Sequence, residues 1–222
     1  MEIKEFFPFW KTLTADQQAR LTESARPYTA KKGEVLHRGQ ADCLGLVCVC
    51  SGVLRAYTLS GEGREITLYR LYERDVCLFS ASCAMRAVDF DIIIEADQES
   101  QLLVIPPDVY RRLMEQSAPA SNFTNELMAG HFSDVMWLLD QVLNKKLDAR
   151  LAAFLLEAAD RENSDTLTLT HETIAGELGS AREVISRMMK YLQSEGLVAV
   201  SRGSVRLVDR PGLANLAGDS LR

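Results

Sequence analysis

Residues 170–209 read THETIAGELGSAREVISRMMKYLQSEGLVAVSRGSVRLVD, and the middle of this run decides the fold. Winding it at about 100° per residue places Arg182, Glu183, Ser186, Arg187 and Lys190 on one stripe. Val184, Ile185, Met188, Met189, Tyr191 and Leu192 fill the opposite side. One face is built for burial; the other carries two guanidiniums, an ammonium, a carboxylate and a hydroxyl. The segment before it starts at Thr170, whose hydroxyl suits an N-cap, and offers Ile174, Ala175 and Leu178 to the second helix. Gly179 supplies the tight turn, and Ser180 reads as the next N-cap, with Glu183 completing a capping box. VAVSRGSVRLV alternates around Arg202–Gly203 and reads as a two-stranded wing. Helix, short turn, amphipathic helix and wing make a winged helix-turn-helix, although many helical hairpins share the pattern.

The stripe has a specific chemistry. Arginine can fork onto guanine O6 and N7, and glutamate can accept from cytosine N4, so a face mixing the two reads base edges rather than merely gripping phosphate. Charge is distributed to match. The 222 residues carry 25 Lys+Arg against 31 Asp+Glu, a net charge of -6. Residues 1–144 hold 14 basic and 20 acidic side chains, whereas 145–222 hold 11 of each. Between 180 and 206, Arg182, Arg187, Lys190, Arg202 and Arg206 face only Glu183 and Glu195, a basic patch that the global acidity conceals.

Moving toward the N-terminus, residues 121–144 form a long helical pattern. Met128, Phe132, Val135, Leu139 and Val142 recur at spacings of four and three, a heptad-like seam suited to pairing with a second copy. A single buried helix in a monomer is the alternative. Phe123, Leu127, Met136, Leu138 and Leu143 widen the apolar surface beyond what one neighbour covers. Between Gly33 and Pro106–Pro107 lie short runs rich in Val, Leu, Ile and Tyr, about ten residues apart, with Ser60-Gly61-Glu62-Gly63 as the best hairpin turn. The fold expected is α+β: an N-terminal jelly-roll, cupin-like β-barrel over 1–119, a long dimerisation helix over 120–144 and a winged helix-turn-helix over 145–222.

Composition bounds the rest. Hydrophobic residues at 47% and charged residues at 25% are those of an ordinary globular chain and exclude a disordered or collagenous one. No apolar run is long enough for a membrane span, and MEIKEFFPFWK lacks the pattern of a secretory leader, so an untargeted cytoplasmic protein is expected. Five cysteines without framework spacing read as free thiols. No nucleotide-cradling glycine loop, HExxH or GxSxG is present, which argues against an enzyme.

The 170–209 run resembles the DNA-binding domain of the Crp/Fnr transcription regulators, and the β region and long helix resemble their effector barrel and dimer helix, from about Phe9 to Leu213. The resemblance implies base reading by Arg182, Glu183 and Arg187, with Ser186 on the same stripe. The order Glu183, Ser186, Arg187 is like the Fnr type, and Arg182 before the glutamate is like the Crp type. Both imply a palindromic double-stranded operator with TGA-containing half-sites. Thr170, His171 and Lys190 fall where the family contacts phosphates, and Arg202 of the wing is grouped with them. A homodimer through 120–144, RNA polymerase as a partner and no membrane partner are implied as well.

The effector does not follow. Cyclic-AMP-binding members carry a Gly-Glu pair after the position matching Asp75, and later an Arg-Ser/Thr-Ala triplet. Here Asp75 is followed by Val76-Cys77-Leu78, and the triplet aligns with Phe90-Asp91-Ile92. A phosphate beside Asp91 without a guanidinium would meet repulsion and an uncompensated desolvation cost, so cyclic AMP is a poor candidate. Cys48 and Cys50 share a strand face with Leu44 and Leu46 and read as core thiols. Cys43, Cys77 and Cys83 sit near strand ends. If they converge they could hold an iron–sulfur cluster or other metal, with Cys48 or His37 as a fourth ligand, or oxidise in pairs. The family's iron–sulfur sensors carry a cysteine group ahead of the barrel, and this N-terminus has none. A non-thiol small molecule is the other candidate. His131 reads as an ordinary hydrogen-bonded or solvated helix histidine rather than a haem ligand. The rival function is a cytosolic ligand-binding or scaffold protein whose helical hairpin contacts protein rather than DNA.

Overall fold

The computed structural model describes residues 1–39, 44–61, 63, 65–79 and 92–220. They form two compact units, Met1–Thr58 with Leu68–Val135 and Leu59–Thr67 with Met136–Arg222.

The first unit is a two-sheet jelly roll. One sheet runs in the order β1 (Arg26–Ala30), β8 (Ser100–Ile105), β3 (Leu46–Ser51), β6 (Val76–Cys77). The other runs β2 (Val35–Arg38), β7 (Ile93–Ala96), β4 (Leu54–Leu59), β5 (Glu65–Leu71). The expected jelly-roll fold is present as two separate four-stranded sheets rather than a closed barrel. Strand alternation decides what each side chain meets. Val47 and Val49 turn inward and pack with Ala56, Ile94, Leu102 and Val104 between the sheets. Leu46 and Cys48, one step out of phase, face a helical layer with Ile105, Tyr110 and Leu113. The expected core face of Cys48 and Cys50 is therefore there, with Cys50 partly buried against the same layer. Leu44 differs: it precedes β3 and packs with the cluster between the sheets, because the strand alternation begins only at Leu46.

The helical layer consists of α1 (Ala15–Ser24), α2 (Pro107–Gln116) and the start of α3 (Ala118–Asn144), with the N-terminal aromatics folded onto it. Thr14 caps α1 in a capping box with Gln17. Pro107 opens α2 at its first position, where its missing N–H has no partner to lose. Phe7 stands edge-on to Phe123 at 6.0 Å between ring centres. At the β3–β4 turn Gly52 has φ +95° and lies so close to Ser100 that a Cβ would overlap its Oγ.

In the second unit α4 (Leu147–Glu162) shares one core with α5 (His171–Leu178), α6 (Arg182–Ser194) and α7 (Arg210–Ala217). Leu151, Leu155, Ile174, Ile185, Met189, Leu192 and Leu213 share its core. β10 (Val198–Ser201) and β11 (Ser204–Leu207) form the expected hairpin, and β9 (Thr166–Leu167) adds a third strand by pairing with β11.

Candidate nucleic-acid interface

The site is assembled by two helix ends and a wing. Thr170 caps α5, its hydroxyl accepting from the Thr173 N–H at 3.0 Å. α5 ends at Gly179, in the left-handed region at φ +61°, a conformation that disfavours a Cβ. The Ser180 N–H then donates to the Ala175 carbonyl at 2.9 Å. This back-bond commits Ser180 to closing α5, so Ala181 takes the N-cap of α6 without a side-chain cap, one residue later than the sequence suggests. The α5 terminus is held a second way. Arg150 of α4 donates to the Leu178 carbonyl at 2.7 Å, and burial lowers the pKa of its guanidinium.

α6 buries Ile185, Met189 and Leu192 completely. Arg182, Glu183, Arg187 and Lys190 are exposed, and Ser186 is half-buried among them. Tyr191 departs from the expected division: it is 47% exposed, because it stands at the border of the two faces. At the N-terminal end of α6, Thr170, His171, Glu172, Arg182 and Arg202 line one cleft of about 400 Å3 with the wing. Glu172 reaches Arg182 at 3.8 Å. Both side chains are solvated, so the pair is weak and leaves the guanidinium available. A helix this wide, about 10–12 Å with side chains, fits a DNA major groove about 12 Å across. The cleft beside it lines up the Thr170 hydroxyl, the His171 imidazole and the Arg202 guanidinium, groups that suit an anion such as a backbone phosphate.

The structure thus brings Thr170, His171, Arg182 and Arg202 together and sets Glu183, Ser186, Arg187 and Lys190 along the adjoining helix face. Sequence reasoning missed Arg150 and Glu172. Arg150 meets a carbonyl 28 residues away, a relation with no local signature. It also missed α7, whose signal was present: Asp209 caps Gly212 at 2.9 Å just ahead of Pro211. Arg210 then ties α7 to Asp160 and Asp165.

The effector candidates are placed differently. Cys77 is buried between the sheets, while Cys48, on the neighbouring strand, faces the helical layer. Burial pushes the Cys48 thiol up. Cys43, Cys83, Phe90 and Asp91 lie outside the described residues. Asp75 closes a turn, accepting from the Tyr72 N–H at 2.7 Å. Among the described residues no group of three or more His, Cys, Asp or Glu is arranged to hold a metal.

Residues 149–216 match the Crp-like helix-turn-helix domain. The chain is 27% identical over 214 residues to the fumarate and nitrate reduction regulatory protein of Escherichia coli K12, covering 91% of this chain and 82% of that protein. It is 27% identical over 206 residues to the transcriptional activator protein FnrA of Stutzerimonas stutzeri, covering 86% and 80%. Among solved structures, a Crp/Fnr-family protein from Eubacterium rectale ATCC 33656 is 50% identical, with a TM-score of 0.92 over 96% of this chain and 98% of that one.

Proposed function

Because the chain belongs to the Crp/Fnr family of DNA-binding transcription regulators, we propose that it grips a palindromic operator as a homodimer, reading bases with Arg182, Glu183, Ser186 and Arg187. Thr170, His171, Lys190 and Arg202 hold the phosphates. The observation that carries this is the exposed charged face of α6 continuing into a cleft that gathers Thr170, His171, Arg182 and Arg202. It is a regulator and not an enzyme, as its relatives are. The alternative of a hairpin that contacts protein has no observation in its favour.

Dimerisation is assigned to α3. Phe132, Val135, Leu139 and Val142, four of the five seam residues, are exposed in the single chain, at 67%, 37%, 46% and 46%. A row of this kind wants an apolar partner. We divide the chain by role into a sensing part (1–119), a dimerisation helix (120–144) and a DNA-binding part (145–222). RNA polymerase is the proposed protein partner and the cytoplasm the proposed location; no helix among the described residues is long and apolar enough to cross a membrane. The effector is a small molecule or a thiol-based signal other than cyclic AMP.

Selection of bound sequences from random duplex DNA tests the reading. Enrichment of an inverted repeat with TGA-containing half-sites is expected, bound with an affinity that falls steeply with salt as counterions are released. Recovery of unenriched sequence would overturn it.

A further inference from the structure

One side chain in the DNA-facing cleft has the wrong sign for a phosphate site. Glu172 lies in the first turn of α5 and lines the same cleft as Thr170, His171, Arg182 and Arg202. Its Oε2 stands 3.8 Å from Nε of Arg182, and both side chains are solvated. Among the described residues neither side chain has another ion-pair partner.

Helix stability accounts for an acid at this position only in part. A carboxylate in the first turn is favoured by the positive end of the helix dipole. The same end of a helix also attracts phosphate. On a surface that meets a polyanion, a carboxylate there repels the phosphates that pass beside it. Glu172 therefore helps α5 slightly and opposes DNA, and the second effect needs a reason of its own.

The geometry supplies one. Arginine carries five N–H donors on a planar fork. Glu172 faces the Nε edge of Arg182, so the two terminal nitrogens are left to point elsewhere. Two parallel donors are what guanine O6 and N7 accept. At 3.8 Å the pair is too long for a hydrogen bond, so the pull is Coulombic and weak in water. Exchanging Glu172 for a phosphate would bring Arg182 no additional charge partner and would leave the carboxylate beside that phosphate. A guanine edge carries no net charge and takes the terminal nitrogens without displacing Glu172.

We propose that Glu172 is a positioning residue for discrimination between DNA sequences. From the Nε edge it turns the Arg182 guanidinium toward a base and holds it off the phosphates, so that random duplex is bound less well relative to operator. The inference deepens the reading of Arg182 as a base contact and rests on it.

The test is Glu172→Gln in the full-length protein, with affinity measured for the selected operator, for its single-base variants and for random duplex across a range of salt. The exchange keeps the size of an exposed side chain, so the fold should persist, with a thermal midpoint no higher than the parent's. Affinity for random duplex should rise about 2–5-fold, the worth of one exposed charge pair. Its salt slope should steepen by about one as Arg182 takes a phosphate. Operator affinity should rise less, so the ratio of operator to random binding falls and preference relaxes at the base read by Arg182. In an Arg182→Ala background the exchange should leave the ratio unchanged. Glu195→Gln, at the far end of α6, removes an equal charge and should leave it unchanged as well. An unchanged ratio in Glu172→Gln, or an equal fall in Glu195→Gln or without Arg182, would overturn the role. A loss of affinity on operator larger than on random duplex would overturn it too, by making Glu172 a base contact itself. A parent protein that binds operator and random duplex alike would instead count against the regulator reading.

Discussion

α6 and α3 are both amphipathic, yet they turn opposite faces to solvent. α6 buries Ile185, Met189 and Leu192 and exposes Arg182, Arg187 and Lys190. α3 buries Ala120 and Thr124 and leaves Phe132, Met136, Leu139 and Leu143 uncovered. The first face is stable in water alone and waits for a polyanion. The second is not, and needs an apolar partner surface. Reading which face a helix leaves open therefore gives the chemistry of the partner more directly than its periodicity does.

The sharpest way to break this comparison is to make α3 resemble α6. Val135→Asp with Leu139→Asp puts charge in the seam. The protein should then sediment as a monomer and lose about 10²–10⁴-fold in affinity for the full palindrome, the range that linking two sites supplies. An intact dimer would move the interface elsewhere. On α6, Arg187→Ala should cost about 1–3 kcal/mol at the cognate half-site and relax preference at one base position, read by binding to a set of single-base operator variants. Equal loss on random DNA would remove Arg187 from base reading. Lys190→Ala should weaken cognate and random duplex alike by a smaller factor and reduce the salt slope by about one.

The smallest effect concerns the inner face of α3. Burial lowers the pKa of His131 below its ordinary 6.5, while Asp134 and Asp75 pull the other way. The unfolded chain therefore takes up this proton at higher pH than the folded one. The contribution to stability is complete above about pH 6.5 and drains away as pH falls toward the folded value. Denaturant unfolding from neutral to mildly acidic pH should show this slope, and His131→Phe should flatten it.

Local periodicity carried most of the DNA-binding part. The caps, the apolar stripe of α6 and the Arg202–Gly203 turn each depend on residues within four positions of one another. Ser180 was misplaced because two motifs compete for it, and the bond to Ala175 that decides the contest is invisible in residue type. The jelly roll was legible through short apolar runs about ten residues apart, although that spacing cannot tell a closed barrel from two sheets. The Tyr69 ring on β5 stacks on His131 of α3, 62 residues away, so no window of sequence contains the contact.

Cys48 and Cys77 sit on adjacent strands but in different interiors, one between sheet and helices and one between the two sheets. A thiol reacts as its thiolate, and a buried one reacts only after its surroundings part. Alkylation followed site by site thus runs as two clocks in one molecule. The rate at Cys48 measures how often the helical layer lifts from the sheet, and the rate at Cys77 how often the sheets separate. A signal that tightens one interface and loosens the other would show itself in the ratio of the two rates, with no label added to the chain.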